Sequence, residues 1–120
     1  MKQDNYLTGK KCRAMSGYCS AYPDPLKLKS GEVVTIGEKR SEWKGWLWCE
    51  DENGKTGWVP ENYIKRKGDI GKLLVEYDAT ELTVEKGEEL EIIKEESGWL
   101  WCKNQNGNLG WIPKEKVIVR

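Results

Sequence analysis

One string of residues occurs twice in this chain. Gly45-Trp46-Leu47-Trp48-Cys49, then Asn53-Gly54, then Gly57-Trp58-Val59-Pro60 returns as Gly98-Trp99-Leu100-Trp101-Cys102, Asn106-Gly107 and Gly110-Trp111-Ile112-Pro113, at a constant offset of 53 with ten of sixteen positions identical. Self-similarity of this kind marks a duplicated structural unit. Upstream the offset widens twice: Gly31 aligns with Gly87 at 56, and Tyr18 with Tyr77 at 59. The first copy therefore carries two longer loops on the same framework, and loops are where binding specificity usually sits. The repeat divides the 120 residues into a tail (1–11), a first domain (12–67), a linker (68–71) and a second domain (72–120). Copies of this length lie near the lower limit for a self-sufficient core. The seven Trp, with no Phe, supply much of the burial such a core needs.

Within each copy the pattern is strand and turn. Glu32-Val33-Val34-Thr35-Ile36 and Glu88-Glu89-Leu90-Glu91-Ile92-Ile93 are β-branched or aliphatic runs, each opened by a Gly. Asn53-Gly54 and Asn106-Gly107 sit between apolar runs, the strongest short-range hairpin signal. Pro60 and Pro113 cannot donate to a ladder, so the chain is expected to turn there before a last short strand. Five short strands with an aromatic-rich middle predict an all-β fold, a small barrel per copy. Each copy is expected to close its own barrel, with no helix beyond a single turn after each Pro. Lys65-Arg66-Lys67-Gly68-Asp69-Ile70-Gly71 reads as a short linker between the barrels.

Charge and cysteine usage remove several function classes. The net charge is zero, and the two halves differ too mildly to propose nucleic acid or a membrane as partner. The four cysteines form no C-x-x-C pair and the chain has no His, so no metal or cofactor is expected. Cys49 and Cys102 occupy equivalent places and are expected to be buried, and all four thiols to be reduced. No signal segment opens the chain, which points to the cytoplasm. No nucleophile-and-base pair and no phosphate-cradling loop are present, so an enzyme is not expected.

The second copy, Tyr77-Asp78-Ala79-Thr80-Glu81-Leu82-Thr83-Val84-Glu85-Lys86-Gly87-Glu88-Glu89-Leu90, then Gly98-Trp99, then Gly110-Trp111-Ile112-Pro113, resembles the Src-homology-3 (SH3) pattern from end to end. The first is similar through Tyr18, Leu26-Lys27-Leu28-Lys29-Ser30-Gly31-Glu32, Trp46 and Gly57-Trp58-Val59-Pro60-Glu61-Asn62-Tyr63. The Gly-Trp-Leu-Trp-Cys wording resembles bacterial SH3 domains more than animal signalling modules. The resemblance implies two five-stranded SH3-like barrels in tandem, each with a peptide groove between the loop after the first strand (the RT loop) and the loop before the Trp strand (the n-Src loop). In the first copy it assigns Tyr18, Trp46, Pro60 and Tyr63 to ligand contact, with Tyr22 and Asp24 in the RT loop. In the second it assigns Tyr77, Trp99 and Pro113, while Lys116 stands where the first copy has Tyr63. Ser16 and Val75 replace the family's further tyrosine. Side-by-side rings make apolar slots for an extended peptide that loses little entropy on binding.

The expected partner is therefore a peptide or protein segment, proline-rich ones included, bound mainly by the first domain. Trp43, on the longer n-Src loop, adds an aromatic there, since an exposed Trp on a loop tip marks binding. Recognition of cell-wall peptide, as in bacterial SH3-type domains, is the alternative. Trp58 and Trp111 are expected to cover the barrels. Trp48 and Trp101 either meet them across the hairpin or close an interface between the copies.

Overall fold

The structure, a computed structural model, describes residues 7–20, 24–39 and 44–119. Its twelve strands are β1 (Lys11–Ala14), β2 (Lys27–Leu28), β3 (Val33–Ile36), β4 (Trp46–Glu50), β5 (Thr56–Pro60), β6 (Ile64–Lys67), β7 (Ile70–Leu73), β8 (Tyr77–Asp78), β9 (Glu89–Glu96), β10 (Trp99–Lys103), β11 (Leu109–Pro113) and β12 (Val117–Val119). Single 3-10 turns, Glu61–Tyr63 and Lys114–Lys116, follow the two prolines as expected. The fold is all-β. No helix among the described residues is long and apolar enough to cross a membrane.

The strands form two five-stranded sheets and a two-stranded one, but not copy by copy. One sheet runs β5-β4-β3-β7-β6 and the other β11-β10-β9-β1-β12. The first strand of each copy thus completes the sheet of the other: β7 pairs with β3 and β6, and β1 with β9 and β12. The compact units follow this exchange. Unit 1 combines Met1–Pro23 with Thr80–Arg120, and unit 2 is the continuous segment Asp24–Ala79. The expectation that each copy closes its own barrel is corrected here. The spans 12–67 and 72–120 remain the periods of the sequence repeat, whereas the chain passes between compact units at 23–24 and 79–80.

A turn explains the correction. Lys67 pairs directly with Ile70, so Gly68 and Asp69 are the whole connection between β6 and β7, and the segment read as a linker is a hairpin. Gly68 has φ of +64° and Asp69 keeps a negative φ, the pattern of a type II′ turn whose first central residue is Gly. Two residues give the chain no reach beyond the neighbouring strand position.

Side-chain size matches the exchange. A Cβ on Gly71 would lie 2.6 Å from Ile64 Cγ2 and 3.2 Å from Ile36 Cδ1. The residue that aligns with Gly71 in the first copy is Cys12, which is fully buried in unit 1. There Val117, one methylene smaller, takes the place of Ile64. Each sheet thus receives the first strand that its core fits. Gly71→Ala should overpack unit 2 and cost about 1–3 kcal/mol, read as a lowered midpoint in urea unfolding. In the same assay the fragment 24–79 should unfold cooperatively at a higher midpoint than the fragment 12–67, which must seat Cys12 against Ile64. A higher midpoint for 12–67 would show that the copies are the folding units.

Candidate functional site

The aromatic positions expected to line one groove per copy are regrouped by the exchange. In unit 2, β8 brings Tyr77 to the first copy's residues: its ring meets Tyr63 edge-on with centroids 5.6 Å apart. Its hydroxyl donates to the Trp58 carbonyl at 2.9 Å. Trp46 lies opposite Pro60 in the β4–β5 ladder, and Tyr63 ends the 3-10 turn that starts after Pro60. Tyr77, Trp46, Pro60 and Tyr63 therefore belong together, and Tyr18 is not among them. Tyr77 and Trp46 are only 4% and 9% exposed. Asp24 pairs with Lys55 at 3.1 Å on the surface. Tyr22 and Trp43 lie outside the described residues.

Tyr18 sits in unit 1, against the second copy's Trp99. The rings meet edge-on at 6.1 Å, and both are half-buried. Two elements hold Tyr18 there: its backbone exchanges hydrogen bonds with Val84 at 2.8 and 2.9 Å, and its hydroxyl donates to Glu81 Oε1 at 2.8 Å. Trp99 is opposite Pro113 on one side and Glu96 on the other. Because Trp99 and Glu96 pair directly, the n-Src loop of this unit is the two-residue turn Ser97-Gly98. Both its residues have positive φ, +49° and +88°, as a type I′ turn demands. The 7% exposed Glu96 carboxylate accepts a 2.6 Å hydrogen bond from the Ser97 hydroxyl of this turn. Glu95 accepts from Lys114 at 3.1 Å. An aromatic pair with the Glu81 carboxylate held against Tyr18 offers apolar slots together with an acid for a basic ligand residue. From the sequence Glu95 and Glu96, like Glu88 and Glu89, read as solvated acids, whereas Glu96 is buried and Glu95 pairs with Lys114.

The remaining tryptophans brace the hairpins. Trp48 and Trp58 meet edge-on at 4.9 Å, and Trp101 and Trp111 at 5.2 Å. This is the cross-strand alternative of the two left open, with Trp111 buried and Trp58 half-buried. A separate cleft of about 460 Å³ in unit 1 is lined by Lys11, Glu89, Glu91 and Lys103 among others, and its charges balance.

Three of the four thiols, Cys12, Cys49 and Cys102, are buried, and Cys19 is exposed. Burial pushes the Cys49 thiol up to about 11, with Arg66 pulling it back only in part. A hydrogen bond with Cys102 lowers Cys12, and the same bond, with burial, raises Cys102. The folded state thus holds the Cys49 proton that the unfolded chain loses near 9, so this contribution to stability is complete below pH 9 and is lost as pH rises towards 11. At pH 8 a thiol reagent should label Cys19 quickly and the other three only after denaturation, as counted by mass spectrometry. Fast labelling at Cys49 would contradict its burial.

Comparison with known proteins follows the sequence copies and not the compact units. The variant SH3 domain family model matches residues 11–66 and again 72–120. The chain is similar to the SH2/SH3 adapter protein dreadlocks of Drosophila melanogaster, 28% identical over 119 residues that cover 81% of this chain and 21% of that protein. It is also similar to human Intersectin-1, 24% identical over 137 residues (91% of this chain, 8% of that protein). Rat Nostrin is 39% identical over 54 residues (45% and 10%). The chain thus spans about a fifth or less of these relatives. They are animal proteins, so the bacterial wording of the repeat gains no support from them.

Proposed function

The chain belongs to the variant SH3 family, and on that premise we propose that it is a non-catalytic interaction module that binds extended peptide segments, proline-rich ones included. The observation that carries this reading is the Tyr18–Trp99 pair of unit 1, two half-buried rings at 6.1 Å with Pro113 beside them. A peptide in polyproline II conformation lays its apolar side chains against such rings and presents its carbonyls to the indole N–H. Glu81, beside the Tyr18 ring, orients a basic residue at one end of the ligand.

The expected preference for the first copy changes with the regrouping. Unit 2 has the larger aromatic set, but Tyr77 and Trp46 are almost fully covered, and a ring that is already buried gains little from a ligand. Unit 1 keeps its rings accessible, so it is the principal groove of this proposal. Its aromatic residues come from both copies, Tyr18 from the first and Trp99 from the second.

Titration of the best binder from a peptide array tests the assignment. Trp99→Ala should weaken binding by about thirtyfold, the loss of about 2 kcal/mol expected of an aromatic anchor. Trp46→Ala should lower stability and leave the affinity of the folded protein within a few fold. Folded spectra must be confirmed for both variants. A larger loss of affinity at Trp46 would move the site to unit 2.

A further inference from the structure

Unit 2 carries a more strongly cationic face than its duplicate. On the outward side of β3, β7 and β6, the ladder places Val33, Lys72 and Lys65 in one row and Thr35, Ile70 and Lys67 in the next. All six are exposed, and the apolar pair is well exposed, Val33 at 53% and Ile70 at 44%. Lys65 is directly opposite Lys72, an arrangement that destabilises a sheet. None of the three lysines makes an ion pair among the described residues. Glu50 borders this face beyond Thr35, and Asp69 lies in the adjoining turn.

The duplicate supplies the control. Five of the same six positions are described in unit 1, where they are Glu89, Arg13, Ile118, Glu91 and Lys11. Arg13 bridges Glu89 at 3.6 Å and Lys11 lies opposite Glu91, so these charges cancel. By sequence the sixth position is Arg120, so the set sums to +1 in unit 1 and to +3 in unit 2, where none of the three lysines has an ion pair among the described residues. The fold does not require those lysines.

We propose that this face of unit 2 binds an extended acidic segment of a partner protein, with acidic side chains on Lys65, Lys67 and Lys72 and apolar ones over Val33 and Ile70. The mixture of cationic and apolar positions on one exposed sheet face fits a strand-like peptide that presents acidic and apolar side chains in turn at every second residue, on a single face. Nucleic acid fits less well: the face has no aromatic ring, and the nearby Arg66 donates to its own turn at Gly68 O, 2.7 Å away. An anionic bilayer is read by larger clusters, about four to eight basic residues, and Asp69 and Glu50 at the margins oppose it. The surface is independent of the groove.

The test uses the full chain and a labelled ten-residue peptide in which glutamate and valine take turns at every second position, with serine between them, so that both face the same side of an extended chain. Amide shift changes should map to 33–35, 65–67 and 70–72. Lys65→Gln/Lys67→Gln/Lys72→Gln should weaken binding by about tenfold, the range of three exposed charge contacts. Val33→Glu/Thr35→Glu, which installs the acids of unit 1, should do the same. Trp99→Ala should leave it unchanged, whatever becomes of the groove. Equal shift changes at 11–13 and 89–91, or unchanged affinity in the lysine variant, would overturn the proposal. So would stronger capture, through the same lysines, by vesicles of phosphatidylserine and phosphatidylcholine or by duplex DNA.

Discussion

Two residues, Gly68 and Asp69, govern the architecture. A chain that leaves β6 through them is back in the ladder at Ile70. It must therefore lie next to β6, and in a sheet of this topology that position belongs to a first strand. Once β7 occupies it, β1 is excluded from the first copy's sheet, and its N–H and C=O groups need partners elsewhere. The matching position in the second copy is the one that β7 left empty, between β9 and β12. Strand exchange then follows from connectivity, with no special attraction between the copies needed to drive it. The size pairs Gly71–Ile64 and Cys12–Val117 fix the choice after connectivity has made it.

Exchange makes the two units unequal in folding. Unit 2 is one continuous stretch, Asp24–Ala79, while unit 1 must join segments from both ends of the chain. Closing so long a flexible loop costs roughly 3–4 kcal/mol in conformational entropy, on a logarithmic dependence on length. Folding unit 2 first removes most of that freedom, because the ends of an ordered insert are already held. The lower contact order of unit 2 points to the same sequence of events. Chain entropy thus links the folding of unit 1 to that of unit 2.

Much of the fold was legible because its signals are local. Asn53-Gly54 and Asn106-Gly107 lie in hairpin turns, with both glycines at φ of +85°. The prolines stop β5 and β11, and a 3-10 turn follows each. The exchange was hidden because β1 and β7 share one alternation, exposed-buried-exposed-buried. That pattern identifies a first strand and leaves open whose. Two residues did carry the information. Gly68-Asp69 is a hairpin dipeptide between alternating runs, and a Gly at position 71, where a Cβ would meet the Ile64 and Ile36 side chains, marks close packing where the other copy has Cys. Both were read through the period of the repeat, which places a domain boundary at that point. The candidate site was legible as a list of residue types and not as groups, since grouping Tyr18 with Trp99 depends on the exchange.

The separation of sequence copy from structural unit also changes what a substitution can do. In an ordinary tandem, a change in the first copy's leading strand would affect the first copy's groove. Here Tyr18 serves the second copy's Trp99, and its hydroxyl is held by Glu81 across the sequence boundary. Tyr77 in turn is locked among Tyr63 and the Trp58 carbonyl. The leading strands are therefore free to diverge only within the limits set by the other copy's core and groove. Outward-facing positions are constrained across the copies only by exposed charge pairs, which contribute little. Arg13 and Lys72 occupy equivalent places on exchanged strands, and one is neutralised by Glu89 while the other faces Lys65. Packing ties the inner faces of the two copies together, and solvent leaves their outer faces free to acquire different partners.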